Sequence, residues 1–164
     1  MDTKSITITT TAASEATGRA ESYLFDNFCE LMTRVFTAFE EEEWAGAADW
    51  DIAFDQSVSD AEVAWKLVVI QAETVTAVRP ISVNDLLLHR MAGLVSRAIS
   101  ATSLAALEAV RSRAMHCIAQ APTHIAEAVY DLAHEAQISI DQMIEHALTN
   151  GSYESPDAGL PLAA

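Results

Sequence analysis

Apolar residues recur at intervals of three and four along most of this chain, the period of helices that bury one face. Leu24, Phe28, Leu31, Val35 and Phe39 form the first such stripe, widened by Phe25, Met32 and Phe36. A helix is expected from near Ser14 to about Glu43. Trp44 to Ser59 is less regular and reads as a connection, with a helical turn around Ile52 and Phe54. A second helix is expected after Ser59, a capping type with Glu62 three residues on. It should end before Pro80, because the residue preceding proline avoids the α region. Val63, Ala64, Trp65, Leu67, Val68, Val69, Ile70, Ala72 and Val75 leave that helix a narrow polar stripe, so it is expected at the centre of the fold.

A third helix should open at Ser82, with Asp85 three residues later, and turn Leu87, Met91, Leu94 and Ala98 inward. Thr102 or Ser103 can cap a fourth, whose apolar positions are Leu104, Leu107, Val110, Ala114 and Ile118. A fifth follows Pro122 and Thr123 with Ile125, Val129, Leu132 and Ala136 inward. Ile138 falls off that stripe, and Ser139 with Gln142 suggests a break and restart. Asn150-Gly151 marks the stop. The expectation is an all-α, up-and-down bundle of four to five main helices over residues 15–150, with a flexible arm at 1–14 and a flexible tail at 151–164.

At 164 residues the chain can bury a core without disulfides or metals. Its apolar runs are far shorter than the ~20 residues of a membrane span. The segment 1–11 lacks the basic start and apolar core of a secretory signal, which favours a cytoplasmic protein with Cys29 and Cys117 as free thiols. The net charge of −15 disfavours nucleic-acid and membrane-surface partners.

That charge is unevenly spread. Glu21 to Glu62 holds twelve acids and one base, Arg34. Arg79, Arg90, Arg97, Arg111 and Arg113 then face only Asp85 and Glu108, and from Ala121 onward there are seven acids with no Lys or Arg. Arg90 and Arg97, seven apart, share a helix face. The arginines of the third and fourth helices are expected to pair with acidic neighbours; the alternative is a patch for an anion or a partner, since guanidinium groups suit carboxylates and phosphates. Glu40 to Glu43 crowd a helix C-terminus, where the macrodipole disfavours acids.

Four residues, His124, Glu127, Asp131 and His134, have a spacing that would align them on one helical stripe as divalent-metal ligands. The same stripe lies opposite the apolar face, so a solvated surface is the expected reading and a metal site the alternative. A bundle metal site normally draws ligands from several helices, and no second motif pairs with this one. His116 and Cys117 are adjacent, hence about 100° apart on a helix, and cannot act on each other. The chain has no Gly-rich phosphate loop and no Gly-x-Ser-x-Gly elbow.

Glu40-x-x-Glu43, the segment from Glu127 to Asp131 and the following Ile140-Asp141-Gln142 resemble the acidic motifs of MazG-type nucleotide pyrophosphatases. That resemblance covers about a quarter of the chain and implies magnesium held near a triphosphate. It departs in the second motif, which has three intervening residues where the family has two.

The leading expectation is a non-enzymatic interaction module that binds a protein partner, itself included, through Trp44, Trp50, Phe54, Arg90 and Arg97. No cofactor is expected on that reading. One alternative is a divalent-metal-dependent enzyme or ligand binder using the His124/Glu127/Asp131/His134 set. Another is an acidic mimic of nucleic acid, which requires the carboxylates of residues 40–62 to form one continuous stripe.

Overall fold

The computed structural model describes residues 22–47 and 54–149. The expected arm, tail and first turns of helix 1, together with Trp50, lie outside them, as does the side chain of Phe54. Five helices make an all-α bundle: α1 (Tyr23–Ala47), α2 (Phe54–Ala77), α3 (Val83–Ile99), α4 (Leu104–Ala119) and α5 (Glu127–Thr149). Among the described residues there are no strands, and no helix is long and apolar enough to cross a membrane.

The core is one cluster. Phe28, Leu31 and Val35 of α1 meet Val68, Ala72 and Val75 of α2, Leu88, Met91 and Val95 of α3, Val110 and Ala114 of α4, and Val129, Ala136 and Ile140 of α5. All four residues expected to turn inward on α3 are buried. So are Leu107, Val110, Ala114 and Ile118 on α4, with Leu104 partly covered. Ser82 and Ser103 cap α3 and α4, accepting from the backbone N–H of Asp85 and Ala106.

Three expectations are corrected. Helix α2 begins at Phe54, five residues before Ser59, which lies inside it. Ser59 and Asp60 are exposed there, and an exposed Ser costs a helix only a few tenths of a kcal/mol with no Gly or Pro upstream to stop it. Helix α5 does not break at Ser139. The buried stripe runs Val129, Ala133, Ala136, Ile140, Ile144, and the Ser139 hydroxyl donates to the Glu135 carbonyl at 3.0 Å, so the helix absorbs it.

The third correction matters most for function. Helix α3, not α2, is central: it packs on all four other helices, whereas α2 touches only α1 and α3. The apolar residues on the far side of α2 therefore find no cover within the described chain. Val63, Leu67 and Ile70 are 50%, 41% and 56% exposed.

Polar contacts tie the helices at defined points. Ser22 accepts from the Phe25 N–H at the start of α1 and donates to Asp85 at the start of α3. Asp85 also accepts from the Ile81 N–H at 3.1 Å and is 2% exposed. Burial alone would raise its pKa. Hydrogen bonds from Ser22, the Ile81 amide and Ser82 outweigh that, and the carboxyl sits below its ordinary value. Gln71 on α2 donates to the Asn27 carbonyl on α1 at 3.0 Å. Trp65 donates to Glu42 at 3.1 Å, while Phe39 stacks edge-on with both Trp65 and His146, joining α1, α2 and α5.

Candidate functional site

Two surfaces stand out, one apolar and one cationic. The apolar one is the outer side of α2. Val63, Leu67, Ile70, Thr74 and Ala77 are spaced four, three, four and three, the repeat of a two-helix seam. Opposite them Ala61, Val68, Ala72 and Val75 face the core, so α2 has two apolar sides and the described residues cover one. Lys66 and Glu73 flank the seam and are exposed. Lys66 lies 3.5 Å from Glu62 one turn back, with both side chains about two-thirds in solvent, a pairing worth ~0–1 kcal/mol.

The cationic surface is a cleft of about 460 Å³ where α3 and α4 meet the end of α2. Its lining is Thr76, His89, Arg90, Gly93, Leu94, Arg97, Arg113, His116 and Cys117. No acid is among them. His89 Nε2 lies 2.9 Å from the Thr76 carbonyl, which can only accept, so that nitrogen carries the proton and the ring is fixed. At Gly93 an added Cβ would approach only the Thr76 methyl, at 3.9 Å, so the missing side chain leaves open space rather than relieving a close contact.

Among the sequence candidates, the structure brings Arg90 and Arg97 together in this cleft and adds Arg113 from α4. Arg111 behaves differently and pairs with Asp141 across to α5 at 3.7 Å. Among the described residues no ion pair engages Arg90, Arg97 or Arg113. Sequence reasoning counted Arg113 among the arginines of the basic middle without placing it beside Arg90 and Arg97, and it missed His116, because both come from a second helix. His116 and Cys117, adjacent in sequence, both reach the cleft wall.

Trp44 is 72% exposed near the end of α1. Its neighbour Glu42 turns toward Trp65 and His146, while Glu40 and Glu43 are exposed. Asp49 and Asp51, also in the acidic segment, lie outside the described residues.

The four-residue His/acid set does not share one helix. Helix α5 starts at Glu127, so His124 sits in the preceding turn, where the Pro122 carbonyl accepts from the Ile125 N–H. Asp131 is exposed, and His134 lies edge-on to Tyr130 with ring centres 4.8 Å apart. Among the described residues no three or more His, Cys, Asp or Glu side chains gather into a potential metal cluster, the Glu40/Glu43 and Glu127/Asp131 pairs included.

A second groove, between α1 and α5, is lined by Cys29, Met32, Phe36, Phe39, Leu132 and Ile138 with Glu135 at its edge. Phe36 and Ile138 are 66% and 54% exposed. Burial first, then the charges of Asp26 and Glu135, raise the pKa of Cys29 and keep it a thiol. Compared with known protein families, curated proteins and solved structures, the chain matches none.

Proposed function

We propose that this protein is a non-enzymatic interaction module that self-associates through the outer face of α2. The observation that carries the reading is the exposed seam Val63, Leu67 and Ile70, continued by half-buried Thr74 and left uncovered by the described residues, on a helix whose other side is already in the core. Charge selects the geometry. In a parallel pair the flanking positions would set Lys66 against Gln71 and Glu73 against Val78, with nothing gained. In an antiparallel pair Leu67 of each copy meets Ile70 of the other, and Val63 meets Thr74. Lys66 of each copy then stands opposite Glu73 of the other, twice over by symmetry. Sliding the helices by one heptad would bring Glu73 against Glu73 instead. The arrangement is self-complementary in one register.

Light scattering or analytical ultracentrifugation tests this directly. The wild-type chain is expected to be dimeric at ~100 µM, a Kd range in which a short interface of this kind operates. Leu67→Lys/Ile70→Lys should give the monomer mass with unchanged helix content by circular dichroism. Lys66→Glu should weaken the dimer and Lys66→Glu/Glu73→Lys should restore it. A wild-type chain that stays monomeric at that concentration ends the proposal; a charge swap that fails to rescue ends its antiparallel register.

A further inference from the structure

The cationic cleft between α3 and α4 is not used by the α2 seam, and it has the composition of a ligand site. We propose that it binds a small organic anion, with a phosphate or paired carboxylates on the arginines and an apolar body against Leu94 and the open space at Gly93.

The chain carries 24 acids and 9 Lys and Arg. In such a protein a base normally finds an acid nearby, as Arg34 does with Glu30 at 2.9 Å and Arg111 with Asp141. Three arginines instead line one cleft, two from α3 and one from α4, with His116 beside them and no carboxylate among the described residues of its wall. An anion in this cleft would meet cations that no described carboxylate already occupies. Guanidinium groups present planar forks that match two oxygens of a carboxylate or phosphate. Arg90 and Arg97 stand two helical turns apart, and Gly93 between them puts no side chain into the gap.

The size of the cleft argues for a small molecule, since 460 Å³ lies within the ~300–1,000 Å³ typical of such sites. The net charge of −15 argues against a polyanion, whose many phosphates would meet acidic surface beyond the cleft. The apolar floor argues for a ligand with a carbon body over a bare inorganic ion.

The test titrates the full chain with four probes by calorimetry or NMR. Phenyl phosphate supplies phosphate and ring, phthalate supplies two carboxylates and ring, inorganic phosphate supplies charge alone, and benzyl alcohol supplies the ring alone. One of the first two should saturate at one per chain with a Kd of about 1 mM or tighter, and which of them does so identifies the anionic group. Benzyl alcohol should not saturate. Arg90→Gln/Arg97→Gln should weaken binding about tenfold or more, and Arg113→Gln separately should weaken it as well. Arg34→Gln, on α1 and already paired, should leave it unchanged. All of these side chains are on the surface or partly so, and circular dichroism verifies that each variant is folded. Failure of both ring-bearing anions to saturate, or equal affinity in the wild type and the double variant, overturns the proposal. Inorganic phosphate binding as tightly as phenyl phosphate overturns the role of the apolar floor.

Discussion

Leu88→Ala should cost about 2–5 kcal/mol of stability, a large share of the 5–15 kcal/mol typical of a whole domain. Leu88 is fully buried on α3, the helix that packs on all four others. Removing its side chain forfeits the transfer free energy of several methyl and methylene groups. It also leaves a cavity whose walls belong to other helices and cannot all close in at once. At roughly 2–4 °C per kcal/mol for a chain of this size, the melting temperature should fall by about 10 °C. Leu148→Ala near the end of α5 is the matched control. That leucine is 61% exposed, and the same chemical change should stay within ~0.5 kcal/mol. Urea unfolding of both variants measures the contrast; equal costs would mean that α3 is not the centre of the fold.

The second large effect is expected at Asp85. Asp85→Asn should destabilise the protein by about 1–3 kcal/mol at neutral pH, because charge-assisted bonds to Ser22 and the Ile81 amide are weakened. Two helix N-termini, those of α1 and α3, meet at this carboxylate, and both favour negative charge. The pH dependence follows from the sign of the shift. The folded pKa of Asp85 is lowered, whereas the unfolded value is the ordinary ~3.9. Its contribution is therefore fully present above the unfolded value and is lost as pH falls through the lowered folded value. The stability gap between wild type and Asp85→Asn should accordingly be constant from about pH 7 to 5 and shrink below about pH 4. Denaturant midpoints measured at several pH values give the gap directly. A gap that does not change with acid would mean that the charge of Asp85 contributes nothing.

Much of the bundle can be read from local pattern. Ser82 with Asp85 marks a helix start whichever tertiary structure follows, and Pro80 stops α2 for purely local steric reasons. What pattern cannot supply is which neighbour covers which face. Val63, Leu67 and Ile70 looked like core because a helix apolar on most sides is usually enclosed, yet the packing of α2 on α1 and α3 leaves them outside. On α5 the small residue Ala133, not Leu132, lies on the buried line. The apparent break at Ser139 comes from Ile138, which lies off the stripe and is 54% exposed, and from a cap-type serine whose hydroxyl the helix bonds internally. The cationic cleft was half legible: seven-residue spacing put Arg90 and Arg97 on one face, but Arg113 joins them only through the α3–α4 turn. Ser22 and Asp85 are separated by 63 residues, and no spacing rule links them.

The position of α3 also orders the molecule in time. Its backbone amides are walled in by four neighbours, so exchange with deuterated water there requires the whole bundle to come apart. Helix α2 is held by α1 and α3 on its inner side, and its outer side meets no other described helix. In the proposed dimer that outer side is the one offered to the second copy. Dimerisation would then slow its exchange more than that of any other helix, and concentration would act as a clamp on local opening.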